Sequence, residues 1–138
     1  MEIKQISVFL DNTAGRLGEV TRVLARAGIN IRGISIADTA EFGILRLIVS
    51  SYEEGLKALK DAGFTTRVTN VIAVEIEDKP GSLAGVMELF EKTRVNIEYL
   101  YASLEGQSGK AVIIFKLEDQ QRGLQIIREN GMTLIEAF

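Results

Sequence analysis

The 138 residues are 46% hydrophobic and 25% charged, the balance of a soluble globular protein and too apolar for disorder. A net charge of −3, a pI near 5.1 and the lack of any Lys/Arg stripe argue against a nucleic-acid partner. The chain has no cysteine and no histidine, which removes thiolate nucleophiles, Ser-His and Cys-His pairs and the usual transition-metal ligands. No cofactor is expected, and any catalysis would have to rest on carboxylates, Lys or Arg.

The N-terminal Met1-Glu2-Ile3-Lys4-Gln5 has no cationic region ahead of an apolar core, and no apolar run reaches membrane length. No membrane partner and a cytoplasmic location are therefore expected. Ile3 to Leu10 alternates, with Ile6, Val8 and Leu10 on one face, and predicts a first strand. Asp11-Asn12-Thr13-Ala14-Gly15 is a turn. Leu17, Val20, Leu24 and Ala27 then form one apolar stripe, predicting a helix from Arg16 to Ala27 that Gly28 ends. Strands are expected at Asn30 to Asp38 and Ile44 to Val49, separated by a turn at Ala40-Glu41-Phe42. A helix from Tyr52 to Ala62 turns Leu56 and Leu59 inward and stops at Gly63, and Thr65 to Thr69 is a fourth strand.

The second half repeats this order. Gly81, Leu83, Val86, Asn96, Ile97 and Gly109 each stand 66 residues after Gly15, Leu17, Val20, Asn30, Ile31 and Gly43; Leu124 and Gly131 stand 68 after Leu56 and Gly63. Strands are predicted at Val71 to Glu77, Val95 to Glu105, Lys110 to Leu117 and Thr133 to Ala137, and helices at Ser82 to Thr93 and Asp119 to Asn130. Two repeats, 1–69 and 70–138, each βαββαβ, predict an α+β protein with two ferredoxin-like antiparallel sheets carrying their helices on one face. Ile29 and Ile31 share a parity that Ile34 and Ile36 do not, and the copy behaves alike, so a β-bulge is expected near Gly33 and near Tyr99. Ile44 to Val49 and Ala111 to Phe115 are apolar on both faces, and such strands should not face water. The helix-free faces are expected to pack on each other or on a partner.

Each first helix opens directly from a glycine turn. Its leading N–H groups lack intrahelical acceptors and the helix dipole adds partial positive charge, so a carboxylate or phosphate can dock there. The first turn, Asp11 to Leu17, and its copy, Lys79 with Gly81-Ser82-Leu83, are the candidate binding residues. Arg16 sits at a helix start, where the dipole disfavours a cation, a placement that favours an anion-meeting role. The glycines also serve as plain turn residues and Pro80 as a rigid helix entry; Asn30 and Asn96 serve as strand initiators.

Asp78-Lys79-Pro80-Gly81-Ser82-Leu83 with Val95-Asn96-Ile97 resembles the ACT domain, the amino-acid-sensing module of many metabolic enzymes. Asn12-Thr13-Ala14-Gly15-Arg16-Leu17 with Gly28-Ile29-Asn30-Ile31 is similar but has Asn12 for the aspartate and Ala14 for the proline. The resemblance covers the whole chain as two repeats and implies a stand-alone, non-catalytic regulatory protein. Its implied partners are a free amino acid and an enzyme of amino-acid metabolism. The ligand's α-carboxylate or α-amino group is expected on backbone around Asn12 to Leu17, helped by Asn12 and by Asn30 or Asn96, with Ile31 and Ile97 nearby, at an edge where two ACT-like units meet, near or across a subunit boundary. A dimerising scaffold without a small ligand and an acylphosphatase-like enzyme are the competing readings. Because Asn70 alone separates the fourth and fifth strands, the second-strand edges of one chain are not expected to meet, which makes a homodimer the expected assembly.

Overall fold

The computed structural model describes residues 2–38, 41–104 and 106–138. Its elements run β1 (Ile3–Asp11), α1 (Arg16–Arg26), β2 (Ile31–Asp38), β3 (Phe42–Val49), α2 (Tyr52–Asp61), β4 (Thr65–Glu77), α3 (Ser82–Lys92), β5 (Ile97–Ala102), β6 (Lys110–Leu117), α4 (Gln120–Glu129) and β7 (Thr133–Ile135). The fold is α+β, built from ferredoxin-like βαββαβ repeats with antiparallel sheets and helices on one face. Two compact units result: Lys4–Thr69 with Phe138, and Glu2 and Ile3 with Asn70–Ala137.

In the first unit the strand order is β2-β3-β1-β4. Antiparallel pairing sets Ile6 opposite Leu47 and Val8 opposite Leu45, so alternate residues of β1 and β3 share the face that α1 and α2 cover. Val20 and Leu24 of α1 and Leu59 of α2 close this core with Ile29 and Phe64. In the second unit β7 pairs β4, and β6 and β5 follow. Ile72, Val74, Phe115 and Leu117 meet Val86, Phe90, Leu124 and Ile127, with Phe90 and Phe115 edge to face at 5.5 Å.

The bulges lie where the parity break requires them. Ile31 pairs with Val49 and Gly33 with Ile48, leaving Arg32 as the extra residue; Ile97 pairs with Leu117 and Tyr99 with Lys116, leaving Glu98. The flip lets Ile34 pack on the same core as Ile31. Away from the helices, Ile48 of β3 and Val112 and Ile114 of β6 are also buried, in keeping with strands apolar on both faces.

Several boundaries differ from expectation. The strands predicted at Thr65 to Thr69 and Val71 to Glu77 form one strand, β4, uninterrupted through Asn70, because nothing in Thr69-Asn70-Val71 forces a turn. Phe42 belongs to β3, paired with Asp11, not to a turn. Asn30 and Asn96 precede their strands, and β5 ends at Ala102; Ala40 of the predicted turn and Glu105 of the predicted strand lie outside the described residues. Among the described residues no helix is long and apolar enough to cross a membrane.

Candidate functional site

The two glycine turns have the same backbone construction. Thr13 N–H donates to Asp11 O at 2.8 Å and Lys79 N–H to Glu77 O at 3.0 Å; Arg16 N–H donates to Thr13 O at 3.4 Å and Ser82 N–H to Lys79 O at 3.3 Å. Gly15 (φ 89°) and Gly81 (φ 92°) cap α1 and α3 in the left-handed region, where a Cβ is penalised, and neither helix has a side-chain cap. The next strand pair braces each turn: Asn12 N–H donates to Glu41 O at 3.0 Å and Asp78 N–H to Gly109 O at 2.9 Å. Asp11 to Leu17 and Lys79 to Leu83 thus present helix N-termini whose N-cap residues, both glycine, supply no side-chain cap.

Side chains make the two turns unlike. Arg16 Nη1 donates to Glu19 Oε2 at 2.7 Å, its guanidinium carbon lies 4.8 Å from the centre of the Phe64 ring, and its Nε is buried without a hydrogen-bond partner. Packing on Phe64 and pairing with Glu19 give a structural account of a cation at this helix start. In the second turn, Ser82 takes Arg16's position and the first turn of α3 carries no acid.

A pocket of about 290 Å³ opens beside that second turn, lined by Glu75, Ile76 and Glu77 of β4, Ser82 of α3, Lys110 of β6, and Gly131, Met132 and Thr133 ahead of and within β7. Lys79 Nζ lies 2.8 Å from Glu77 Oε2. The Lys79 hydrogen bond, then its charge, then the charge of Lys110 hold the Glu77 carboxyl below its ordinary pKa; the same hydrogen bond and the charge of Glu77 raise Lys79. Carboxylates, an ammonium group and a helix N-terminus in one pocket can meet both ends of a zwitterion.

Asn30, Ile31, Asn96 and Ile97 stand elsewhere. Ile31 pairs with Val49 at the far end of β3 from Phe42 and Gly43, which pair with Asp11 and Leu10. That is about 20 Å along the strand at roughly 3.3 Å per residue. Ile97 likewise pairs with Leu117, whereas Glu77 pairs with Lys110. Within a repeat, then, neither asparagine reaches the glycine turn, because the second strand begins where the first helix ends, at the opposite end of the sheet. Asn30 instead receives a bond from Ser50 N–H at 2.9 Å and donates to Ser50 Oγ at 3.1 Å, through backbone atoms on its own side. Asn96 lines a separate pocket of about 390 Å³ with Arg94, Asp119 and Arg122. Glu75, Lys110 and Met132 are among the pocket-lining residues that sequence reasoning did not single out. Aligning the repeats exposes the signal, since these positions hold Phe9, Ile44 and Phe64 in the first half.

Comparison with known proteins identifies one family model, described as ACT domain pair, matching residues 1–137. A protein of known crystal structure from Bacteroides thetaiotaomicron is 37% identical, with a TM-score of 0.92 over 98% of this chain and 92% of that one. The ligand-free regulatory subunit of aspartate kinase from Thermus thermophilus shares the fold at 18% identity, with a TM-score of 0.66 over 93% of this chain and 92% of that one. Aspartokinase III of E. coli, solved in complex with lysine and aspartate, shares it at 20% identity and a TM-score of 0.52, over 94% of this chain and 30% of that one. No curated protein matches the sequence.

Proposed function

The chain belongs to the ACT domain pair family, and from that premise we propose that it is a non-catalytic regulatory protein that binds a free amino acid and modulates an enzyme of amino-acid metabolism. The observation that carries this reading is the duplicated glycine turn, which leaves two helix N-termini without side-chain caps. Main-chain N–H groups at Asn12 to Leu17 and at Lys79 to Leu83 suit the α-carboxylate that all amino acids share, and the surrounding walls would select the side chain. Two fold relatives point the same way by name, one a regulatory subunit and the other a complex with lysine and aspartate. Cytoplasmic location accords with such a role.

Each repeat, 1–69 and 70–138, is one ACT-like domain in this proposal, and two chains assemble as a homodimer. Half-exposed Ile36 and Leu100 on β2 and β5, the terminal strands of the two sheets, support the assembly. Calorimetry with the twenty amino acids, one at a time, tests the ligand reading, and silence from all twenty overturns it. Light scattering at micromolar concentration tests the assembly; a monomer at 15.2 kDa overturns it.

A further inference from the structure

The residue that follows each asparagine divides the five asparagines of the chain into two kinds. Asn12, Asn30, Asn70 and Asn96 precede Thr13, Ile31, Val71 and Ile97, all β-branched, whose side chains crowd their own backbone nitrogen. Asn130 precedes Gly131, which has no Cβ. Both residues lie exposed where α4 ends, and nothing stands within 4 Å of the position a Gly131 Cβ would take. The turn is a helix cap found in both repeats. Asn130, Gly131 and Met132 donate their N–H groups to Ile126, Arg128 and Ile127 O, each at 3.1 Å, as Ala62, Gly63 and Phe64 donate to Ala58, Lys60 and Leu59 O. Ala62 shows that the cap needs no amide side chain. Asn130 adds one bond, from Nδ2 to Ile126 O at 2.9 Å.

We propose that Asn130 is a site of spontaneous modification, at which attack by the Gly131 nitrogen on the side-chain amide converts the residue into aspartate and isoaspartate. A bond forms between the Gly131 nitrogen, which gives up its proton, and Asn130 Cγ; the Cγ–Nδ2 bond breaks, ammonia leaves and a succinimide ring closes. Water then opens the ring. Addition at Cγ yields aspartate, and addition at the main-chain carbonyl yields isoaspartate, whose backbone runs through the former side chain. The native cap holds the reactants apart, with ψ 11° at Asn130, Gly131 N–H bonded to Arg128 O and Nδ2 bonded to Ile126 O. The reaction therefore runs through fraying of the last turn of α4, an opening that leaves the core folded. Either product changes the turn. A carboxylate cannot donate to Ile126 O, and it sits at the negative end of the helix dipole beside Glu129. Isoaspartate also lengthens the backbone by one atom ahead of β7, a strand of three residues paired with Glu75, Val74 and Ala73. Deamidation thus slackens the β7 edge of the second unit, and the Ala62-Gly63 turn of the first has no amide to react.

The test is incubation of the full chain in mildly alkaline buffer, followed by peptide mapping with mass spectrometry and by enzymatic methylation of isoaspartate. Conversion is expected at Asn130 at least about tenfold faster than at the asparagines that precede β-branched residues, with isoaspartate exceeding aspartate. The same incubation in guanidinium chloride gives the unfolded-chain rate. The native rate is expected to lie below it, yet above that rate multiplied by the globally unfolded fraction, as local opening requires. Asn130→Gln, which would need a larger ring, is expected to stay unconverted, and Asn130→Asp to melt below the unaltered chain. Conversion spread evenly over all the asparagines, or a native rate no greater than global unfolding supplies, overturns the proposal. An Asn130→Asp melting temperature equal to that of the unaltered chain overturns the slackening of β7.

Discussion

The same substitution, glycine to alanine inside a helix, should change stability in opposite directions at Gly85 and Gly123. An interior Gly→Ala change favours a helix by about 1 kcal/mol through backbone entropy alone. Around Gly85 of α3 nothing lies within 4 Å of the added Cβ, so most of that gain should appear, about 0.5–1 kcal/mol. Around Gly123 of α4 the Cβ would overlap Leu117 Cδ1 and stand 3.5 Å from Ile72 Cδ1. Leu117 and Ile72 are both 0% exposed, so neither can swing into solvent, and overfilling such a core costs about 1–3 kcal/mol. The clash with Leu117 is severe enough to place the cost in the upper part of that range. Against the propensity gain, Gly123→Ala should be destabilised by about 1–2 kcal/mol. Urea unfolding followed by far-UV circular dichroism reads the difference. With a slope of roughly 2 kcal/mol per molar, the midpoint should fall by about 0.5–1 M for Gly123→Ala and rise by about 0.2–0.5 M for Gly85→Ala. A Gly123→Ala midpoint at or above that of the unaltered chain would refute the packing argument.

Arg94 has φ 57°, the left-handed conformation that Gly28 adopts at φ 72° in the first repeat. Arg94→Gly removes a strain of about 1–2 kcal/mol and loosens the unfolded chain by about half that, so a net gain of about 0.5–1 kcal/mol is expected; a lower melting temperature would show that the Arg94 side chain stabilises more than its backbone costs. The Glu77 carboxyl is held below its ordinary pKa first by the Lys79 hydrogen bond, so the stability it contributes is present above the unfolded-state value and lost as pH falls through the lowered one. The melting-temperature gap between the unaltered chain and Lys79→Ala should therefore close at the acid end, and a gap that persists at the lowest pH would contradict the assignment. Both side chains are more than half exposed, so the gap is small.

Periodicity made the frame legible: the repeat offset, the glycine turns and the bulges follow from local pattern, because turn geometry and strand parity are properties of neighbouring residues. The run from Thr65 to Glu77 reads as two strands at the repeat boundary, although no residue around Asn70 breaks an extended chain. The role of Arg16 was hidden because its partner, Phe64, comes from beyond α2, and a contact between distant segments leaves no periodic trace. Asn30 and the glycine turn of its own repeat are separated for a topological reason. A motif records which residues recur and not where they stand, and the helix crossover carries the chain to the other end of the sheet before the second strand begins.

β4 runs unbroken through Asn70, and Glu2 and Ile3 group with residues that follow it. Gln120 ties these segments together: its Nε2 donates to Asn70 O at 3.1 Å and to Glu2 Oε2 at 3.4 Å, and its Oε1 accepts from Leu117 N–H at 2.7 Å. A cut after Thr69, though it falls at the boundary between the two compact units, would thus divide a strand and strip the later half of its N-terminal clasp.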